Sequence, residues 1–208
     1  MDFIRETIMY FHKGGLVMWP LLFCSFTVFA IAIAIERFMF YKAADSGEKF
    51  KNDYCDLLSQ NNLQGAADLA KVTPGQFSKI VFSAAGNAAT QEDLADYLEN
   101  ELDIFTSLLK NKLDYLSVIV TLSPLLGLLG TIVGMIGAFS IFNLQAGAPI
   151  AITGGIGEAL IATASGLCVA IISLCFHAYF THRMDNIITN AERCATALLQ
   201  AERRCAHK

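Results

Sequence analysis

The chain has 208 residues, of which 54% are hydrophobic and 16% charged, and its mean hydropathy is +0.48. A soluble domain carries about 25% charged residues, and the charges here are concentrated in residues 36–114 and 183–208. This distribution excludes an ordinary soluble domain and indicates a membrane protein. The net charge of −4 argues against nucleic acid as a partner.

The first apolar stretch comprises twenty consecutive uncharged residues, 16–35. At 1.5 Å rise per residue it covers ~30 Å, which is one hydrocarbon thickness. The alternative is a cleaved signal peptide, because Ala-Ile-Ala triplets within 30–34 resemble a cleavage site. A signal peptide's apolar core is only about 7–15 residues long. We therefore predict a transmembrane helix over 16–35, preceded by an amphipathic segment over 1–15 at the outer surface.

Two further apolar stretches follow. Residues 116–142 carry no charge over 27 positions, enough for ~40 Å of helix. Residues 150–180 are apolar except for Glu158 and His177, and the connection over 143–149 is short and uncharged. The sequence therefore predicts an all-α integral membrane protein with three transmembrane helices.

The basic residues predict the orientation of these spans. Two lie before the first span and none in 143–149, whereas seven flank the other ends: Arg37, Lys42, Lys49, Lys51, Lys110, Lys112 and Arg183. We expect the N-terminus and the 143–149 loop outside the cytoplasm, and the 36–115 region and the 181–208 tail inside it.

The two cytoplasmic regions have helical patterns. Apolar residues recur every three or four positions before the second span, at Leu94, Leu98, Leu102, Phe105, Leu109 and Leu113, and after the third, at Met184, Ile187, Ile188, Ala191, Ala195, Leu198 and Leu199. No helix breaker separates either pattern from its span. We therefore expect long helical extensions that pack as a cytoplasmic bundle. Within the loop, a break is predicted at residues 73–75 (TPG).

Three segments together resemble the ExbB/TolQ/MotA proton-channel family. They are residues 13–22 (KGGLVMWPLL, followed by 35–37, IER), 122–136 (LSPLLGLLGTIVGMI) and 154–167 (GGIGEALIATASGL). The last two are long and specific, and together the three segments touch all three spans. Three spans favour the ExbB/TolQ branch, because the flagellar-stator branch has four.

The resemblance implies an inner-membrane ring, usually a homopentamer, around single-span partners of the ExbD/TolR type. A membrane aspartate of the partner would carry the proton, and a TonB/TolA-like protein is a further expected partner. By motif, the proton pathway would include Glu158, Thr163 and Thr131. The resemblance does not distinguish nutrient uptake from envelope maintenance.

Glu158 is the only carboxylate within a predicted span. A charged side chain at mid-membrane costs at least about 2.5–3.5 kcal/mol, so it has to face protein, water or a partner charge. On a helical wheel it lies opposite Leu160, Leu167, Ile171 and Leu174, which indicates a lumen-facing position. The alternative is a buried glutamate that only hydrogen-bonds a neighbouring helix, or that stays protonated and has no role in proton transfer.

Thr131 and Thr163 lie at similar depths, ~17 and ~20 Å below the outer ends of their spans. A hydroxyl both donates and accepts, which suits a proton relay, although each could instead bond its own backbone. Five residues separate Glu158 from Thr163, so on a straight helix they point ~140° apart. Either the helix is distorted there or Thr163 faces a joint between subunits.

A stripe of small residues along the second span is predicted to be a helix-packing face: Gly127, Gly130, Gly134 and Gly137, with Ser123. No phosphate-binding GxxxxGK[ST] motif, nucleophile–base arrangement or zinc spacing occurs. We therefore expect neither an enzyme nor a bound cofactor or metal.

Two functions are compatible with these sequence patterns. The first is a proton-driven motor subunit, and the second is a non-conducting membrane scaffold that assembles and stabilises partner proteins. Polar groups at matched depth favour the motor, because a scaffold does not need them. A self-sufficient secondary transporter is disfavoured, because three spans show no internal repeat.

Overall fold

A computed structural model describes residues 9, 11, 14–42, 48–60, 62–87, 91–144 and 149–206. Most of the predicted 1–15 segment and residues 145–148 of the predicted loop lie outside these ranges. The described elements are six α-helices: α1 (Met18–Lys42), α2 (Glu48–Ser59), α3 (Leu63–Val72), α4 (Gln76–Asn87), α5 (Gln91–Leu144) and α6 (Pro149–Ala206). The described residues contain no strand, so the all-α prediction is confirmed.

Three of the helices, α1, α5 and α6, are long and apolar enough to cross a membrane. The expectation that the second and third spans continue as helices beyond the apolar stretches is also confirmed. Helix α5 is unbroken from Gln91 to Leu144, and α6 from Pro149 to Ala206. Pro124 lies inside α5, and the neighbouring Ser123 hydroxyl donates to the Ile119 carbonyl at 2.8 Å.

The chain divides into two compact units. The span unit comprises residues 1–32 and 114–178, and the extension unit comprises residues 33–113 and 179–208. In the span unit, α1 buries one side, where Val17, Met18 and Leu21 pack with Leu126 of α5. The other side of α1 exposes large apolar side chains, including Trp19, Phe23, Phe26 and Phe29, as expected of a helix that contacts lipid.

The extension unit has a core formed by the predicted apolar stripes. Five of the six residues of the α5 stripe are buried, as are Met184, Ile187, Ala191, Ala195 and Leu198 of α6. Aromatic rings of α2 and α4 join them. Phe50 stacks on Tyr54 with centroids 5.5 Å apart and meets the edge of Phe77 at 6.5 Å. Burial of these stripes accounts for helices that continue far beyond the apolar spans.

Short connections close this unit. The Asn62 side chain caps α3 by accepting from the Gly65 amide at 2.9 Å. The predicted break at residues 73–75 is confirmed, since α3 ends at Val72 and α4 begins at Gln76. The buried Ser78 hydroxyl donates to the Thr73 carbonyl at 2.9 Å across this break.

Candidate functional site

The span unit brings α5 and α6 together through small residues. A methyl group added at Gly130 would come 2.5 Å from the Ala162 Cβ, and one added at Gly134 would come 3.2 Å from the Ala159 Cβ. At Gly127 it would meet the backbone of Thr163 at 3.2 Å. Residues later in α5 contact residues earlier in α6, so the two helices are antiparallel. Their backbones approach closely wherever a side chain is missing.

Gly137 is placed differently from the other three glycines of the predicted stripe. Among the described residues, no atom lies within 4 Å of a methyl group added there. On α6, Gly155 and Gly166 contribute to the helix contact instead. A methyl group at Gly166 would lie 2.7 Å from the Ser123 carbonyl oxygen and 2.9 Å from the Gly127 Cα.

The Thr163 hydroxyl lies in this helix–helix contact. It is half-buried, and it reaches the Gly127 carbonyl of α5 at 3.1 Å and the Ala159 carbonyl of its own helix at 3.2 Å. Helix α6 continues unbroken through this position. The Thr163 hydroxyl therefore points toward α5 of the same subunit on an unbroken helix. The expected position of Thr163 at a joint between subunits stays a prediction.

The Thr131 hydroxyl donates to the Leu128 carbonyl of its own helix at 2.6 Å. Thr131 and Thr163 each come one residue after a member of the Gly130–Ala162 contact. Because the helices are antiparallel, the two threonines lie on opposite sides of this contact, within about one helical turn of each other along the helix pair. Their hydroxyls bond different carbonyls, and each oxygen keeps lone pairs that can accept a further hydrogen bond.

Glu158 is half-buried on α6. Two of the leucines predicted to lie opposite it are exposed, Leu160 to 63% and Leu167 to 47%. The carboxyl group lies against Gly15, in the turn that precedes α1. A methyl group added at Gly15 would lie 2.9 Å from the Glu158 Cδ and closer still to Oε1. Gly15 was not among the predicted site residues, and the available signal was the Gly-Gly pair directly before the first span.

The candidate site predicted from the sequence thus consists of one carboxyl group and two hydroxyl groups, which lie on an antiparallel helix pair in the span unit. Such groups can bind, release and pass on a proton. Among the described residues, no three His, Cys, Asp or Glu side chains are grouped as they would be to hold a metal ion.

The sequence matches the model of the MotA/TolQ/ExbB proton channel family over residues 65–193. A putative biopolymer transport protein ExbB-like 3 from Synechocystis sp. is 36% identical over 168 residues, which cover 78% of this chain and 79% of that protein. Biopolymer transport protein exbB1 from Vibrio cholerae is 29% identical over 167 residues, covering 76% and 71%. An ExbB homolog from Methanothermobacter thermautotrophicus is 26% identical over 197 residues, covering 92% and 69%.

Three helices long and apolar enough to cross a membrane, together with these matches, identify the chain as a membrane transport component. The chain belongs to the MotA/TolQ/ExbB proton channel family. Its relatives carry ExbB names, so the resemblance found in the three sequence segments is confirmed.

Proposed function

We propose that this chain is the ring-forming subunit of an inner-membrane motor that uses the proton motive force to energise a partner system for transport or envelope work. The observation that carries the proposal is Glu158, a single carboxylate in an otherwise uncharged apolar stretch of a proton channel family member. An ionisable group is retained at such a depth where it has a functional or pairing role.

In this proposal Glu158, Thr163 and Thr131 form the protein's part of the proton pathway. The two threonines lie within about one helical turn of each other on adjacent helices. A proton entering beside Glu158 would meet one group that can ionise and two that can relay. A membrane aspartate on an ExbD/TolR-like single-span partner would supply the second ionisable group. A TonB- or TolA-like protein would receive the work.

The ring would be a homopentamer built from α5 and α6. Helix α5 exposes many apolar side chains, among them Val118, Leu125, Ile132 and Ile136, each more than half exposed. Gly137 offers a further close approach with no neighbour among the described residues of its own subunit. Neighbouring copies would cover part of this surface, and lipid and the partner helix would cover the rest.

The decisive experiment measures partner-dependent proton flux in liposomes for Glu158→Gln. Glutamine is nearly isosteric and still hydrogen-bonds, so only the ionisable site is removed. We expect normal complex formation and loss of flux. Glu192→Gln, an exposed residue of the tail, is the matched control and should conduct like wild type. Wild-type flux from Glu158→Gln would remove Glu158 from the pathway, and failure of assembly would instead favour the scaffold.

A further inference from the structure

Gly15 has an unusual backbone conformation in the turn before α1. Its φ is +71°, in the left-handed region that side chains disfavour. The turn is closed by the Met18 amide, which donates to the Gly15 carbonyl at 3.2 Å. Glycine is therefore favoured here by backbone conformation alone.

A second, independent constraint acts at the same residue. The space that a Gly15 side chain would fill is occupied by the carboxyl end of Glu158, whose Cδ and Cγ would lie 2.9 and 3.3 Å from an added Cβ. The neighbouring Gly14 differs in this respect. A methyl group there would meet the flexible Met18 side chain at 2.5 Å and Ile161 at 3.2 Å, and none of its three nearest atoms belongs to Glu158.

We propose that Gly15 is a positioning residue for Glu158, and that the turn before α1 sets where this carboxyl group lies. The inference rests on the proposed function, in which Glu158 is on the proton pathway. The turn leads directly into α1, and the N-terminal end of a helix favours a negative charge nearby. Helix α1 therefore takes part in proton transfer through its entry turn, although the pathway groups themselves are on α5 and α6.

The test is a set of variants assayed for partner-dependent proton flux. Gly15→Ala places a methyl group where the carboxyl group lies, and we expect flux to fall about tenfold or more while the complex still assembles. Gly14→Ala adds the same methyl group one residue earlier and should keep flux within about twofold of wild type. Equal effects of the two changes would overturn the assignment.

Rescue separates positioning from a structural role. Glu158→Asp withdraws the carboxyl group by one methylene, so Gly15→Ala should cost much less flux in that background than in wild type. A turn that only needs glycine for its backbone would lose the same flux in both backgrounds, and that result would overturn the proposal.

A stability measurement covers the case in which Glu158→Asp carries no flux or Gly15→Ala accumulates poorly. Glu158→Ala removes the carboxyl group from the space that a Gly15 side chain would fill. In that background, Gly15→Ala should therefore cause a smaller loss in the midpoint of thermal unfolding or in membrane accumulation. An equal loss of stability in both backgrounds would contradict the contact between Gly15 and Glu158.

The two proposals can fail separately. If Glu158→Gln abolishes flux while Gly15→Ala conducts normally, only the positioning role of Gly15 is ruled out. If Glu158→Gln conducts normally, the proposed role of Glu158 in the proton pathway is ruled out, and the positioning role of Gly15 is ruled out with it.

Discussion

Arg183 of α6 and Glu36 of α1 form an ion pair in the extension unit, in which one guanidinium nitrogen lies 2.7 and 3.0 Å from the two carboxylate oxygens. The Tyr179 hydroxyl accepts from the same nitrogen at 3.3 Å. Both charged side chains are more than one-third exposed, so solvent screens the attraction. A pair of this kind contributes about 0–1 kcal/mol.

Reversing one charge should therefore lower stability slightly. Arg183→Glu or Glu36→Arg should lower the midpoint of thermal unfolding in detergent by about 2–4 °C, the shift expected for ~1 kcal/mol in a chain of this size. The double reversal restores opposite charges and should recover most of the loss. A double variant less stable than both single variants would contradict the pairing.

Removal of the Thr163 or Thr131 hydroxyl should stop proton flux without stopping assembly. Valine keeps the shape of threonine, and we expect each Thr→Val variant to lose about tenfold or more in partner-dependent flux. Thr163→Ser keeps the hydroxyl and should retain most activity. Thr27→Val is the matched control, because Thr27 lies on α1, outside the proposed pathway, and its hydroxyl donates to the Phe23 carbonyl of its own helix. Loss of flux from the control would show that the assay reports general damage.

Two alanine substitutions on α6 should change stability in opposite directions. Gly166→Ala pushes a methyl group against the backbone of α5, which cannot move aside as a side chain can, and overpacking costs about 1–3 kcal/mol. Gly154→Ala meets no described atom within 4 Å, and alanine favours a helix by up to about 1 kcal/mol over glycine. Unfolding midpoints of the purified variants measure both effects. A stable Gly166→Ala protein would contradict the close helix contact.

The extension unit should lose stability at alkaline pH through Tyr54. Burial raises the pKa of its hydroxyl above the usual value of 10, and neighbouring Cys194, Cys55 and Glu202 act in the same direction. The folded state thus holds this proton more tightly than the unfolded state does. Its contribution is present below about pH 10 and declines as the pH rises further.

The measurement compares unfolding midpoints of wild type and Tyr54→Phe at neutral pH and near pH 10.5. Phenylalanine cannot ionise, so the variant should lose less stability over this interval, while other groups that titrate affect both proteins alike. Parallel losses in the two proteins would show that Tyr54 ionisation does not affect folding.

The predicted orientation can be tested with an impermeant thiol reagent. Cys194 is a poor reporter, because it is only 1% exposed and would escape labelling on either side. Cysteines should instead be introduced at Ala146, in the predicted outer loop, and at Glu99, which is exposed on α5. We expect Ala146→Cys to react in intact cells and Glu99→Cys only after permeabilisation. Reaction of Glu99→Cys in intact cells would reverse the topology.

The helices were predictable because each depends on local pattern. Each of the two long helices combines an uncharged run that is long enough to cross a membrane with apolar residues spaced three or four positions apart. Both features can be recognised without knowing what the helix packs against. Leu94 and Leu98 are buried as their spacing indicates. The break between α3 and α4 follows from Pro74 and Gly75.

The arrangement of the site was less predictable, because it depends on contacts between distant segments. The motif identified Thr163, and the glycine stripe included Gly127, but the hydrogen bond between them follows from the relative register of two helices. The contact of Glu158 with Gly15 also requires a positive φ in a turn. A helical wheel of α6 predicts the direction in which the Glu158 side chain points, but it does not predict which group the side chain contacts.

The interleaved order of the two units has a consequence for biogenesis. Residues 33–113 are synthesised between the two parts of the span unit, which at about 5–20 residues per second takes roughly 4–16 s. During that interval the buried side of α1 has no α5 or α6 to pack against. The extension unit is completed later still, because it includes residues 179–208, which are synthesised after the whole of the span unit. A nascent chain stopped before α6 therefore has both units incomplete, and the apolar surfaces that α6 covers in each unit stay exposed until α6 is synthesised.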